Sequence, residues 1–157
     1  KLNNKAHFFP VHVLLYTLPG KPSIYYGSEF EIEGEKKPYA DEILRPELKI
    51  EDYKDAVNTN ENTKRIAALG NMRLNNQWVG EAGYRELLLT NRHYAFLREY
   101  GDKRLVAIVN NDDNNVDINL NIGGRFTELF SGETRDFDGN MYVNIAGNSG
   151  QVWISNN

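Results

Sequence analysis

One change of pattern along the 157 residues, near Gly80, predicts an α+β chain, with a helical N-terminal part followed by an all-β Greek-key sandwich. Before Gly80, apolar residues recur at helical spacing in two stretches separated by a long loop. From Gly83 onward they fall into short alternating runs between turn residues, as in a fold of many short strands. The expected division is therefore 1–80 and 81–157. A content of 40% hydrophobic residues, with 11% aromatic, is enough to build a packed core.

Taken in order, Asn3 or Asn4 can cap a first helix running to about Leu18. Phe8, Val11, Leu14 and Leu15 recur at helical spacing, and Pro10 sits either near the start or at a kink. Apolar residues occupy most of its circumference, so it should be largely buried. Pro19-Gly20 stops the helix. Ser23-Ile24-Tyr25-Tyr26, bounded by Pro22 and Gly27, then reads as a short strand, with the two tyrosines on opposite faces. Residues 28–58 show no period and carry Gly34, Pro38 and Pro46. They read as one loop well beyond the ~12–15 residues usual in a compact domain, and such loops are often functional. A second helix starts near Asn60 or Asn62 and runs to about Asn75, with Ile66, Leu69 and Gly70 on one side and Lys64 and Arg65 in solvent.

The strand candidates are Tyr84–Leu89, Tyr94–Tyr100, Arg104–Asn110, Val116–Ile122, Phe126–Phe130, Met141–Ile145 and Gln151–Ser155. Val116, Ile118, Leu120 and Ile122 alternate with polar partners, which predicts a strand with one wet face. Gly101-Asp102, Asn110 to Asn115, Gly123-Gly124, Ser131-Gly132, Asp138-Gly139 and Gly147-Asn148 supply turn chemistry between them. The spacing is that of a β-sandwich.

Charge narrows the partners. Lys and Arg total 18 against 22 Asp and Glu, a net charge of −4 with the signs interspersed, so neither nucleic acid nor membrane is an expected partner. The longest apolar stretch, around Phe8 to Leu18, is interrupted by Pro10 and His12 and is shorter than the ~20 residues of a membrane span. Cysteine is absent, which removes disulfides and thiolate metal sites while leaving the compartment open. The opening Lys1-Leu2-Asn3-Asn4-Lys5 lacks the features of a signal peptide, and residue 1 reads as a cut inside a longer protein. No cofactor or metal site is expected. His7 and His12 are off the spacing that brings side chains together on a helix. The run Glu29, Glu31, Glu33, Glu35 beside Lys36 and Lys37 reads as a solvated segment. Asn110 to Asn115 lacks the Gly and distal Glu of a calcium loop and reads as a hairpin connection.

The segment from Leu18 to Glu29 contains Pro19-Gly20, Pro22, Tyr25-Tyr26-Gly27 and Glu29. It resembles the signature around the eighth strand of the (β/α)8 barrel in the alpha-amylase superfamily, glycoside hydrolase family 13. The resemblance implies that residues 1–80 are the last segment of such a barrel and residues 81–157 the small all-β domain C. Glu33-Gly34 and the run Tyr94-Ala95-Phe96-Leu97-Arg98 are most similar to the bacterial alpha-amylase, neopullulanase and cyclomaltodextrinase branch. Members of this family are retaining glycosidases, whose two catalytic carboxyl groups stand about 5–5.5 Å apart. Their catalytic acids precede the signature, the last in an Asn-His-Asp motif, and this sequence contains no His-Asp pair. The expectation is thus no catalytic residue here, an inactive chain by itself, and an α-glucan or maltooligosaccharide as the ligand of the full-length parent.

The resemblance also implies a sugar-binding role for Asp41 and Arg45, which have the four-residue spacing of the family's substrate loop. The alternative is a solvated pair stabilising that loop. Glu29, with no second carboxylate beside it, reads as structural, holding the loop through hydrogen bonds to backbone. Trp78, Tyr94, Phe96, Phe126, Phe130, Tyr142 and Trp153 raise the alternative of a carbohydrate-binding sandwich, although strand positions in a core account for most of them. Helix and strand within residues 1–30 would lack barrel neighbours, so self-association through them is expected.

Overall fold

The computed structural model describes residues 4–34, 38–39 and 45–156. The first helix opens with a single 3-10 turn, Lys5–His7, where the Asn4 side chain accepts from the Ala6 amide at 3.0 Å. The α-helix proper, α1, is Phe8–Thr17. Pro10 lies in its first turn, where a missing N–H leaves no helical bond unmade, so it starts the helix and produces no kink. Phe9, Val13 and Tyr16 are buried on its inner side.

The expected strand at Ser23–Tyr26 is not one. Residues 21–25 form no ladder, because no strand among the described residues lies alongside to accept or donate their hydrogen bonds. Tyr25 and Tyr26 are both exposed instead of facing opposite sides of a sheet. The region expected as one long loop contains short helical turns at Ser28–Phe30 and Ile50–Asp52 and a four-residue helix α2, Ala56–Thr59. Helix α3, Glu61–Asn75, begins where the sequence placed it, since the Asn60 side chain accepts from the amides of Asn62 (2.9 Å) and Thr63 (3.0 Å). Ile66, Leu69 and Met72 make its buried stripe. Arg65 is not in free solvent. Its guanidinium lies over the Phe9 ring, 4.3 Å from the centroid, which ties α3 to α1.

Eight strands follow: β1 Gly83–Leu89, β2 His93–Tyr100, β3 Lys103–Asn110, β4 Val116–Leu120, β5 Gly124–Glu128, β6 Thr134–Phe137, β7 Met141–Ile145 and β8 Ser149–Ser155. Strand β6 has no counterpart among the sequence candidates. Its residues Thr134, Arg135 and Asp136 are exposed at the sheet edge, so no apolar alternation marks them. All pairings are antiparallel, in a six-stranded sheet ordered β1-β2-β3-β8-β5-β6 and a two-stranded sheet β4-β7. Strands β3 and β8 are neighbours although distant in sequence, as Greek-key connections require. Asn110 to Asn115 is not a hairpin connection: it carries the chain from β3 to β4 in the other sheet. Asp117 and Asn119 point outward from β4 while Ile118 and Leu120 are buried, the wet-faced strand anticipated from the alternation.

Two cores result, one on each side of the large sheet. Helices α1 and α3 pack Phe9, Val13, Ile66 and Leu69 against Phe96, Leu105, Ala107, Val109 and Val152. On the opposite face Ala95, Leu97, Val106, Ile108 and Trp153 meet Ile118, Leu120, Met141, Val143 and Ile145. Strand β3 is thus buried on both faces, which is why Leu105-Val106-Ala107-Ile108-Val109 reads as a continuous apolar run. Each fully buried aliphatic side chain in these layers contributes about 1.5–3 kcal/mol relative to exposure.

Candidate functional site

The signature segment is held by a turn and by the start of α3. Gly27 has φ +79°, and an added Cβ would meet the Ile32 side chain at 3.2 Å, so both backbone and space call for glycine. From there the Ser28 amide donates to the Tyr25 carbonyl at 3.0 Å, and the Ile32 amide to that of Gly27 at 3.1 Å. The Thr63 hydroxyl donates to the Glu29 carbonyl at 2.6 Å. The carboxylate that braces the loop belongs to Glu31: it accepts from Asn62 at 2.6 Å and from Asn60 at 3.1 Å, the same Asn60 that caps α3. Glu29 serves through its carbonyl. Its charge also lies near Tyr16, whose phenol is pushed above its ordinary pKa first by burial and then by Glu29. Further back, Arg73 of α3 donates to the Gly20 carbonyl at 2.6 Å, and burial lowers its pKa.

Arg45 returns to this segment, donating from Nε to the Tyr25 hydroxyl at 3.2 Å, while the Tyr26 hydroxyl donates to the Pro46 carbonyl at 3.0 Å. The structure therefore joins Arg45 to the tyrosine pair of the signature. Asp41 lies outside the described residues. Tyr25 and Tyr26 stay half in solvent, at 55% and 50% exposure, beside the Arg45 guanidinium. Such a surface suits a hydroxyl-rich neutral ligand, through hydrogen bonds to Arg45 and ring contact with a sugar's C–H face. No cluster of three or more His, Cys, Asp or Glu occurs among the described residues. His12 instead places Nδ1 2.7 Å from the Phe8 carbonyl, one turn back along α1.

Sequence reasoning gave no structural role to three buried polar residues that brace this frame. Arg98 is fully buried on β2 and donates to four carbonyls: Thr17 (2.7 Å), Val79 (2.9 Å), Ala82 (2.7 Å) and Gly83 (3.0 Å). Thr17 closes α1, so the guanidinium meets the negative end of that helix as well as the turn after α3. Burial lowers the Arg98 pKa, and the neighbouring Arg73 charge adds to it. Glu128 accepts from the amides of Phe130 (2.9 Å), Ser131 (2.7 Å) and Val152 (3.2 Å), which fixes the turn after β5. Asn110 donates to the carbonyls of Asn114 (2.8 Å) and Ala146 (3.1 Å) and shapes the crossover to β4. Arg98 and Asn110 end apolar runs in the sequence and Glu128 interrupts one, but nothing there identifies their partners.

Of the seven aromatic residues considered for a sugar platform, Phe96, Phe126 and Trp153 are buried, and Trp78, Tyr94 and Phe130 are packed against the helix-side core. Tyr142 alone is exposed.

The class the fold defines is an antiparallel all-β sandwich backed by helices, with a braced polar loop in the helical part and buried charges that serve turns. The family described as the alpha amylase, C-terminal all-beta domain matches residues 89–157, the stretch that holds β2 to β8 of the sandwich. No curated protein matches the sequence. Among solved structures, the alpha-amylase of Geobacillus thermoleovorans, complexed with acarbose, is similar with a TM-score of 0.76 at 17% identity, over 97% of this chain and 34% of that one. The cyclomaltodextrin glucanotransferase CldA, with its three-domain ABC distribution, gives 0.77 at 18% identity, over 97% and 32%. AmyP in complex with maltose gives 0.77 at 14% identity, over 94% and 34%. The likeness is one of fold, and the chain spans about a third of the length of these structures.

Proposed function

We propose that this chain is the C-terminal portion of an alpha-amylase-type retaining glycoside hydrolase that acts on α-1,4-glucans or maltooligosaccharides. In this reading residues 1–80 close the catalytic barrel, residues 81–157 form domain C, and catalysis resides in acids that this chain does not supply. Asp41 and Arg45 bind sugar. The observation that carries the reading is the union of Arg45 with Tyr25 of the signature segment, on a loop braced by Glu31 and the start of α3. Likeness of fold through both the helical part and the sandwich supports it.

Calorimetric titration with maltotriose and maltohexaose, alongside Asp41→Ala and Arg45→Ala, tests the loop. Binding abolished by both changes is the expected result, and binding indifferent to both would remove the loop from the reading. Release of reducing sugar from maltooligosaccharides by the purified chain would overturn its lack of catalysis. Residues 1–30 mediate self-association in this reading, through exposed Val11, Tyr25 and Tyr26. A monomeric mass at every accessible concentration, by sedimentation, would refute that part.

A further inference from the structure

A cleft lies away from the Tyr25–Arg45 loop, where the helical part meets the sandwich. Lys5, Ala6 and Phe9 of the first helical segment, Asn62 and Arg65 of α3, the turn of residues 146–148 after β7 and Ser149 at the start of β8 line an open cleft of about 340 Å³. That falls in the ~300–1,000 Å³ range of small-molecule clefts, which favour junctions between structural units. None of these residues belongs to the signature segment.

Its chemistry is mixed. Lys5 is neutralised by Glu33 at 2.6 Å, so a bound anion would meet that carboxylate as well as the ammonium. Arg65 lies over the Phe9 ring, 4.3 Å from its centroid, and among the described residues makes one long 3.4 Å hydrogen bond, to the Asn62 oxygen, which leaves guanidinium donors at the cleft. The Ser149 hydroxyl both donates and accepts. A guanidinium held over an aromatic ring, a hydroxyl and amide groups, with the Lys5 charge compensated by Glu33, fit a ligand carrying many neutral hydroxyls.

The turn is shaped for this wall. Gly147 passes so close to the Asp113 carbonyl that a Cβ could not be accommodated. Asn148 takes φ +48° and anchors on Asp113 at 2.8 Å. These contacts fix the height of the turn opposite Arg65.

We propose that this cleft is a second saccharide site, holding one or two glucosyl units of an α-glucan apart from the loop that carries Arg45. The proposal rests on the glucan reading above. Its test is amide-resolved NMR titration of the whole chain with maltotriose, with Arg65→Gln, with Ala146→Trp to fill the cleft from an exposed position, and with Arg45→Ala. Expected are shifts at residues 62–65 and 146–149 with millimolar affinity, weakened at least tenfold by Arg65→Gln and by Ala146→Trp but not by Arg45→Ala. Shifts confined to residues 25–26 and 45–46 would overturn the second site and leave the glucan reading standing. Absence of maltotriose shifts anywhere would overturn the second site and count against the loop as well. Shifts at the cleft with inorganic phosphate in place of maltotriose would overturn its assignment to a saccharide.

Discussion

Replacing Arg98 by Met keeps a long unbranched stem and removes the charge and every donor. Four carbonyls then lose their partner, three of them in bonds buried from solvent. A hydrogen bond to a charged group contributes about 1.5–3 kcal/mol, and an orphaned buried carbonyl costs about 1–3 kcal/mol. Against this, a buried guanidinium no longer has to be desolvated, which returns several kcal/mol. The balance expected is a loss of about 3–5 kcal/mol, comparable with breaking a buried ion pair. Total stabilities run to about 5–15 kcal/mol, so the variant should be folded but marginal, with Tm lowered by roughly 10 °C. Arg98→Lys carries one point charge that cannot reach carbonyls on several sides, and should lose about 2 kcal/mol. Urea unfolding followed by the fluorescence of Trp78 and Trp153, which sit in different cores, measures both. Hydrogen exchange should show α1 losing protection before β3 and β8, since Thr17 is the contact that reaches it. An Arg98→Met midpoint within about 0.5 kcal/mol of the parent would refute the assignment of Arg98 as the clasp between helices and sheet.

Asn60→Ala removes the α3 cap and one bond to Glu31, and should lower stability by about 1 kcal/mol in urea titration. Gly147→Ala places a methyl 2.1 Å from the Asp113 carbonyl, a backbone atom that cannot turn aside, so about 1–3 kcal/mol should be lost by the same assay. The Tyr94 phenol is raised from 10.0 to about 12, by burial first and then by its hydrogen bond with Tyr84. A raised folded-state pKa contributes stability that is complete below pH 10 and lost as pH climbs through 12, so the urea midpoint should fall across that window. Tyr84→Phe should move the Tyr94 titration downward, as read by phenolate absorbance.

Much of the candidate site was legible because its local chemistry is written in short patterns. Asn60 is a cap and the signature segment is recognisable as a unit, whereas Gly27 read only as the end of a strand and proved to sit in a left-handed turn. The pairing of Arg45 with Tyr25 was not legible, since the two lie twenty positions apart in a stretch whose sequence carries no periodic signal. Glu31, set among alternating acids that read as solvated, proved to be the brace because α3 brings two asparagines to it.

The sequence by itself determined where some elements begin and end. Periodicity of 3.6 or 2, caps and turn residues are local, and they placed α3 and Met141–Ile145 at their observed bounds. Only the tertiary structure decided what faces what. The six-stranded sheet is covered on both sides, by helices and by β4-β7, which no single strand's pattern distinguishes from a two-layer sandwich. Edge strand β6 and the segment at Ser23–Tyr26 make the same point from opposite sides. The first is a strand because a neighbour offers its hydrogen bonds, and the second is not one because none of the described strands does.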